Sequence, residues 1–482
     1  MPRVYPAYIS QARPQGRVEL QRLRCVSSTG VSTWVNIGSM TAERVDGAVE
    51  AIVRQDPILG EWAQVAADGL TAGEGEAVLG QAFVQDFLWY RLPAKYPERA
   101  WFALARAAAA LLDELGLERY ASIADSETTK TILEAWREDS ARGFARYRPA
   151  AEASGVKPPD TGVLTWGAVM GFDEASAYAH LEMELEDAIV AGRFLPGASG
   201  WRLRAASVVE AALQEPPPND GRRSRLEIIL GERRRTWVEA AHPEELRRWR
   251  AARADELCRR ADPPDDLEPV IRALRWLLER CRNGVELTQS GYLSPSIVRE
   301  SVELFGWWDW PGQPRSEVDV HQLGALRETA ARLRLVMKRG RRLGTSRHGI
   351  ALLEDPVALW RAVATTIGAA DDFATMLSEL IAHRLLAGPA PGNELATSIV
   401  PIVTAQGWRS GGDPVDERHI VASVHRPLYF WRLFGLLEEV RPRWVDGRPT
   451  GTNVTSLNLA GRVTALEYLR ARAVAPRRSL HT

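Results

Sequence analysis

Apolar residues recur at three- and four-residue steps through most of the chain, the spacing of helices that bury one face. Trp101-Phe-Ala-Leu-Ala-Arg-Ala-Ala-Ala-Ala-Leu-Leu112 is Ala/Leu-rich, 129–144 and 173–191 continue the pattern, and Thr41 stands where an N-cap opens the first such stretch. β-like runs are few and short. Two lie near the start, at 17–25 and 31–37, separated by Ser-Ser-Thr-Gly; others lie around Leu335-Val-Met-Lys338 and Arg443-Trp-Val445. This pattern predicts a mainly α protein with small β-hairpins.

Proline and glycine break the helical pattern at Gln214–Gly221, Ala261–Asp266 and Ala387–Asn393. The expected organisation is an N-terminal helical domain over 1–214, a charged helical connector over 222–262, a first module over 267–386 and a second over 394–474. A chain of 482 residues is too long for a single core, which agrees with several domains. The short basic tail after Pro476 is expected to fray.

A weak internal repeat marks the C-terminal part. Glu286-Leu-Thr288-Gln-Ser-Gly291, Leu343-Gly-Thr-Ser346-Arg-His-Gly349 and Ser456-Leu-Asn458-Leu-Ala-Gly461 each place Thr, Ser or Asn three residues before a glycine. Such residues accept hydrogen bonds from the free N–H groups of a helix's first turn, so the repeat predicts a strand ending where a helix begins. Before the second copy, Leu323, Leu326, Ala330 and Leu333 line one face of a helix over 321–336, and a tight Arg-Gly-Arg turn makes a hairpin. Before the third copy come an apolar helix over 427–437 and a hairpin turning at Asp446-Gly447. Helix, hairpin, helix is the order of a winged helix, so tandem winged-helix-like modules are expected. Asp355-Pro356 is expected to cap and start one more helix.

Charge then narrows the chemistry. The formal net charge is -1, which excludes a protein that coats nucleic acid through its overall field. A local patch stands out, however: Arg332, Arg334, Lys338, Arg339, Arg341, Arg342 and Arg347 fall within 332–349 with no acid among them. A basic wing of this kind contacts backbone phosphates, and the exposed face of helix 321–336, with Gln322 and Arg327, is where bases would be read. A hairpin tip must in any case be polar. Only four lysines occur (Lys95, Lys130, Lys157 and Lys338), so arginine is this chain's default surface cation. The second wing, Arg441–Arg448, is less basic, and the charge-dense segment 222–260 interleaves acids with its arginines as solvated helix faces do.

Other candidates are weaker. The 17 tryptophans mostly suit core anchors, and Trp307-Trp308-Asp309-Trp310 fits a loop stapled to the core better than a stacking platform. His180 and Glu184 are one helical turn apart, the spacing of a metal pair but also of a solvated face. The three cysteines, Cys25, Cys258 and Cys281, form no CxxC pair. P-loop, GxSxG, HExxH and post-strand GxGxxG signatures do not occur. There is no stretch of about 18 apolar residues and no signal-peptide centre at the start. The expectation is a cytoplasmic protein without catalytic residues, metal or cofactor.

Thr288-Gln-Ser-Gly-Tyr-Leu293, the 326–336 helix, the hairpin with Ser346-Arg-His-Gly349, and Asp355-Pro-Val-Ala-Leu-Trp360 together resemble the C-terminal region of an actinobacterial family of insertion-element passenger or plasmid-encoded open-reading-frame-three-like proteins. The resemblance covers roughly 270–470. It departs at Trp307-Trp-Asp-Trp-Pro-Gly-Gln-Pro-Arg-Ser-Glu317, where the family carries a glycine/lysine/asparagine loop. It implies a winged-helix-like architecture and a role in mobile-element maintenance or defence, and carries over no catalytic residue. The expected function is DNA binding without chemistry; the alternative is an adaptor or scaffold whose modules bind protein.

Overall fold

In the computed structural model the described residues are 38–71, 77–218, 220–368, 371–391, 394–440, 443–445, 448–450 and 452–478. The β-like runs expected at 17–25 and 31–37, and the Asp446-Gly447 turn, lie outside them. The architecture is mainly helical with a few small antiparallel sheets. Two compact units divide the chain, one holding 38–232 with 476–478, the other 233–475.

In the first unit, β1 (Gly38–Met40) pairs with β2 (Ala77–Leu79). Helices α1 (Ala42–Gln55), α2 (Pro57–Leu70), α3 (Gln81–Asp86), α4 (Leu92–Lys95), α5 (Trp101–Glu114), α6 (Glu118–Ala124), α7 (Glu127–Glu138) and α8 (Ser140–Ala153) surround one core. Asp56 ends α1 and starts α2: its carboxylate accepts the N–H groups of Ile58 and Leu59, and Pro57 fills the first helical position. Gly60 lets α2 approach α1, since a Cβ there would sit 2.3 Å from Val53 Cγ2. Leu70, Leu88, Leu104 and Leu111 are fully buried in this core. A second core forms where α9 (Phe172–Val190), α10 (Trp201–Gln214) and the start of α11 (Arg225–Glu239) bring Leu181, Leu185, Val209, Leu213 and Ile229 together. The Glu232 carboxylate accepts the first N–H groups of α9, from Asp173 and Glu174. The basic tail departs from the frayed expectation as far as it is described: Val169 N–H donates to Arg477 O at 3.2 Å.

The second unit repeats one arrangement. After α12 (Glu244–Ala251), the first module runs α13 (Glu268–Cys281), β3 (Val285–Glu286), α14 (Pro295–Phe305), α15 (His321–Arg332), β4 (Val336–Arg339), β5 (Arg342–Thr345) and α16 (Arg347–Leu353), with strand order β3-β5-β4. Helix α17 (Pro356–Ala364) follows, capped by Asp355 as expected. The second module runs α18 (Asp372–Ala387), β6 (Ala390–Pro391), α19 (Glu394–Ala405), a small hairpin β7 (Arg409–Ser410) with β8 (Asp413–Pro414), α20 (Glu417–Leu433), β9 (Leu437–Val440), β10 (Arg443–Val445), β11 (Arg448–Thr450), β12 (Val454–Leu457) and α21 (Leu459–Ala473). Its sheet order, β6-β12-β9, matches that of the first, and β10 with β11 extends the hairpin. The Pro/Gly stretch at 387–393 therefore contains an edge strand, where proline is tolerated because no ladder N–H is needed.

Both modules turn from helix to strand and back by one construction. Helix α15 ends with Arg334 at φ 57° and Leu335 N–H bonded to Ala330 O; α20 ends with Gly435 at φ 64° and Leu436 N–H bonded to Trp431 O. Ser346 N–H donates to Leu335 O and its hydroxyl accepts Gly349 N–H; Asn458 N–H donates to Leu436 O and its side-chain oxygen accepts Gly461 N–H. A Cβ on Gly349 would lie 2.3 Å from Leu335 O, and one on Gly461 2.0 Å from Leu436 O. These two copies of the repeat are strand-to-helix corners. The first copy, Thr288–Gly291, is a turn instead: Thr288 Oγ1 accepts Tyr292 N–H, and the next helix starts at Pro295. A threonine hydroxyl closes a loop by accepting a nearby backbone N–H as readily as it caps a helix.

Candidate nucleic-acid interface

The β4–β5 hairpin carries most of the cations singled out from sequence. Val336 pairs with Thr345, Lys338 with Leu343 and Arg339 with Arg342, and Gly340 takes φ 57° at the tip. Leu343 is buried, while Lys338, Arg339, Arg341 and Arg342 are exposed. Arg339 directly opposite Arg342 is a like-charge pair, which costs a sheet stability rather than adding it.

The eight candidate residues fall into two groups. The side chains of Arg334, Lys338, Arg339 and Arg347 make no hydrogen bond or ion pair among the described residues and are exposed. Arg341 and Arg342 are exposed too, but donate to Leu287 O and Asn283 O respectively, which braces the hairpin against the strand and turn beside it. Arg341 also lies 3.6 Å from Glu286.

The last two are turned inward. Arg327 Nε sits 3.0 Å from Glu317 Oε1, and its Nη1 donates to Gly291 O. Glu317 is buried and accepts Leu293 N–H, so this pair ties the 288–293 turn to α15. Arg332 lies over the Phe430 ring at 5.7 Å; burial lowers its pKa, with Glu328 opposing and Arg426 adding to that effect. Glu328 meets Arg426 at 3.5 Å, and a cavity of about 310 Å³ opens between α15 and α20, floored by Phe430 and Tyr429. Two side chains of α15, Glu328 and Arg332, thus meet α20, though Glu328 stays exposed, and Arg327 is held by its own module. Base reading by α15, expected from sequence, meets these contacts first.

The pairing of Glu328 with Arg426 was not foreseen, because the two residues are 98 positions apart and neither carries a motif. A cluster in the second module was missed for the same reason. Glu379 accepts from Arg250 at 2.7 Å and lies 3.4 Å from Arg472, beside His383, which packs on Trp237 and Trp249. Burial works against the Glu379 charge, but Arg250, Arg472 and His383 outweigh it and hold its pKa to about 2. His383 is pushed down to about 4, mainly by burial, with Arg250 and Arg253 adding to that effect against Glu379.

The remaining candidates have structural partners. Trp307 stacks on Phe305 at 4.6 Å and Trp308 Nε1 donates to Gly312 O, while Trp310 is 74% exposed. His180 is 3.5 Å from Glu184, and burial with Arg225 lowers the imidazole to about 4. In the first unit a cavity of about 430 Å³ is lined by Tyr147, Lys157, Tyr178 and Trp201, with Lys157 paired to Glu182 at 2.7 Å. No helix among the described residues is long and apolar enough to cross a membrane.

What fold and site define is a mainly helical protein with two like helix–hairpin modules, one bearing a bare cationic hairpin. Compared with protein-family models, curated proteins and solved structures, the chain has no match.

Proposed function

We propose that this protein binds the phosphate backbone of nucleic acid, duplex DNA foremost, through the β4–β5 hairpin of a winged-helix-like first module. One observation carries the reading: Arg334, Lys338, Arg339 and Arg347 stand exposed with no acidic partner, two of them on a hairpin where Arg339 faces Arg342. In the second module the position matching Lys338 is a carboxylate, Glu439, and it is paired with Arg432 of α20. Unpaired like charges concentrated at a tip instead suit a polyanion, which releases condensed counterions as it binds. Chemistry is not part of the proposal. The winged-helix, mobile-element and cytoplasmic expectations stand with it as a single hypothesis of a regulatory or maintenance protein.

Salt dependence tests it. With four phosphate contacts the slope of log K against log salt is about -3.6, and replacing Lys338, Arg339 and Arg347 by glutamate should lower duplex affinity by about 100-fold or more. Salt-insensitive binding, or a triple variant that binds as the parent does, would sink the proposal.

The adaptor reading draws on a different observation: α15 makes side-chain contacts to α20 through Glu328 with Arg426 and Arg332 with Phe430, so its surface already engages protein. It gains if the purified protein ignores DNA and co-purifies with a stoichiometric partner.

A further inference from the structure

Four arginines meet around α21 without a matching set of acids. Three neighbouring hydrogen bonds bring them there. Arg233 Nη1 donates to Val474 O, which sets α11 and its Arg234 along the end of α21. Ala261 N–H donates to Glu467 Oε2, which brings the exposed Arg260 next to the helix, within electrostatic reach of Arg470. Trp360 Nε1 donates to Thr464 Oγ1 in the core, which fixes Arg361 of α17 beside it. Arg470 stands at the centre, 9% exposed.

Among the described residues none of these four guanidiniums makes a hydrogen bond or ion pair. The Nε atoms of Arg361 and Arg470 are buried without an acceptor. Glu467 is the one carboxylate beside Arg470 in this cluster, and it is already engaged by Ala261. Burial disfavours the Arg470 cation; Glu467 favours it, and Arg260, Arg234 and Arg361 push against it. A guanidinium N–H buried without an acceptor is costly, so proteins hold such groups paired or ligated. Packing does not explain four of them converging from four separate segments.

We infer that Arg234, Arg260, Arg361 and Arg470 form a binding site for a phosphate group, with Arg470 as its floor and the other three as its walls. Phosphate fits because its oxygens can each accept from a different guanidinium, and its two negative charges offset repulsion that one carboxylate leaves uncompensated. The site lies outside the β4–β5 hairpin and does not depend on the reading of that hairpin.

The full chain is titrated with inorganic phosphate and with pyrophosphate at constant ionic strength, with chloride as the reference, and the unfolding midpoint is followed. The expected result is a saturable rise in the midpoint, larger for pyrophosphate. Arg361→Gln and Arg234→Gln, both partly exposed positions, should weaken the apparent affinity by about tenfold each, one lost charge-assisted contact. Arg361→Lys should restore part of that loss. Reversal of Lys338, Arg339 and Arg347 should leave the phosphate effect intact. If phosphate and pyrophosphate shift the midpoint no more than chloride does, or shift the glutamine variants as they shift the parent, the site does not exist. The source of the phosphate is read from duplex binding by Arg361→Gln. A parallel loss of duplex affinity assigns the site to the nucleic-acid backbone; unchanged duplex affinity assigns it to a free phosphorylated molecule.

Discussion

The two modules of the second unit share a scaffold and differ in what they place on it. Each ends the helix before its hairpin with a left-handed residue, bonds the following leucine back to that helix, and caps the next helix from the returning strand. In the first, the residues after that leucine are Val336-Met-Lys-Arg339; in the second they are Leu437-Glu-Glu-Val440. Position for position, Lys338 corresponds to Glu439, which pairs with Arg432. The fold therefore does not require a cation at the Lys338 position, and the Lys338-Arg339 pair on this strand is a property of the first copy.

The opening helices differ as sharply. Helix α13 buries one stripe and leaves Arg272, Glu279 and Arg280 in solvent. Helix α18 is buried nearly all round, and the polar groups this encloses, Glu379 and His383, are met by Arg250 from α12 and Arg472 from α21. One module is a surface, the other a hub.

Removing the hub's charge should cost most. Glu379→Gln leaves Arg250 and Arg472 without their carboxylate, a loss of about 3–5 kcal/mol on the usual scale for breaking a buried pair, measurable by urea unfolding. A loss below about 1 kcal/mol would mean that the pair is not needed to hold α12 and α21 on α18.

Acid should act through the same cluster. His383 is held to about 4 against an ordinary 6.5, so the unfolded chain binds its proton first. Stability should be full above pH about 6.5 and fall as pH drops towards 4, by an amount on the order of 3 kcal/mol. Glu379, held to about 2, is a depressed carboxylate whose contribution is present above about 4.5 and lost below it. His383→Gln should flatten the upper part of this pH profile and leave the lower part.

The shared corner is probed by its glycines. Gly349→Ala and Gly461→Ala drive a Cβ into a backbone carbonyl, and each should destabilise by about 1–3 kcal/mol. The effect at Gly461, where the approach is 2.0 Å against 2.3 Å, should be the larger. Equal stability of parent and variants would show that the corner is looser than its hydrogen bonds indicate.

The smallest effect should be the most diagnostic. Arg334 holds the left-handed position that Gly435 holds in the second module, at a steric cost of about 1 kcal/mol for a residue with a Cβ. Arg334→Gly should therefore raise stability by about that amount while weakening duplex binding by one phosphate contact. A variant that gains stability and loses no affinity would remove Arg334 from the interface and leave its strain without a use.

Local features were legible in the chain because they obey local rules. Helical spacing named 101–112, 173–191 and 321–336 as helices, and α5, α9 and α15 form there, α15 stopping at Arg332 where the chain takes its left-handed turn. Asp355-Pro356 and the 346–349 and 458–461 corners are set by side chains acting on their own turn, so three or four residues suffice to find them. Strand β9 was hidden because Leu437-Glu-Glu-Val440 has no β signature of its own; it becomes a strand by pairing with β12. Cation density in 332–349 was plain from sequence, yet which of those cations are free was not.

That division has one physical reason. Composition, periodicity and capping are set by residues within a few positions of each other, and they determined a mainly α chain with two like corners and one basic hairpin. Charge compensation depends on what the folded chain brings within about 4 Å, whatever the sequence distance. Tertiary structure alone decided that Arg327 belongs to Glu317 and Arg250 to Glu379. By the same contacts it left Arg339 and its neighbours to solvent, and Arg470 with three more guanidiniums and one carboxylate already in use.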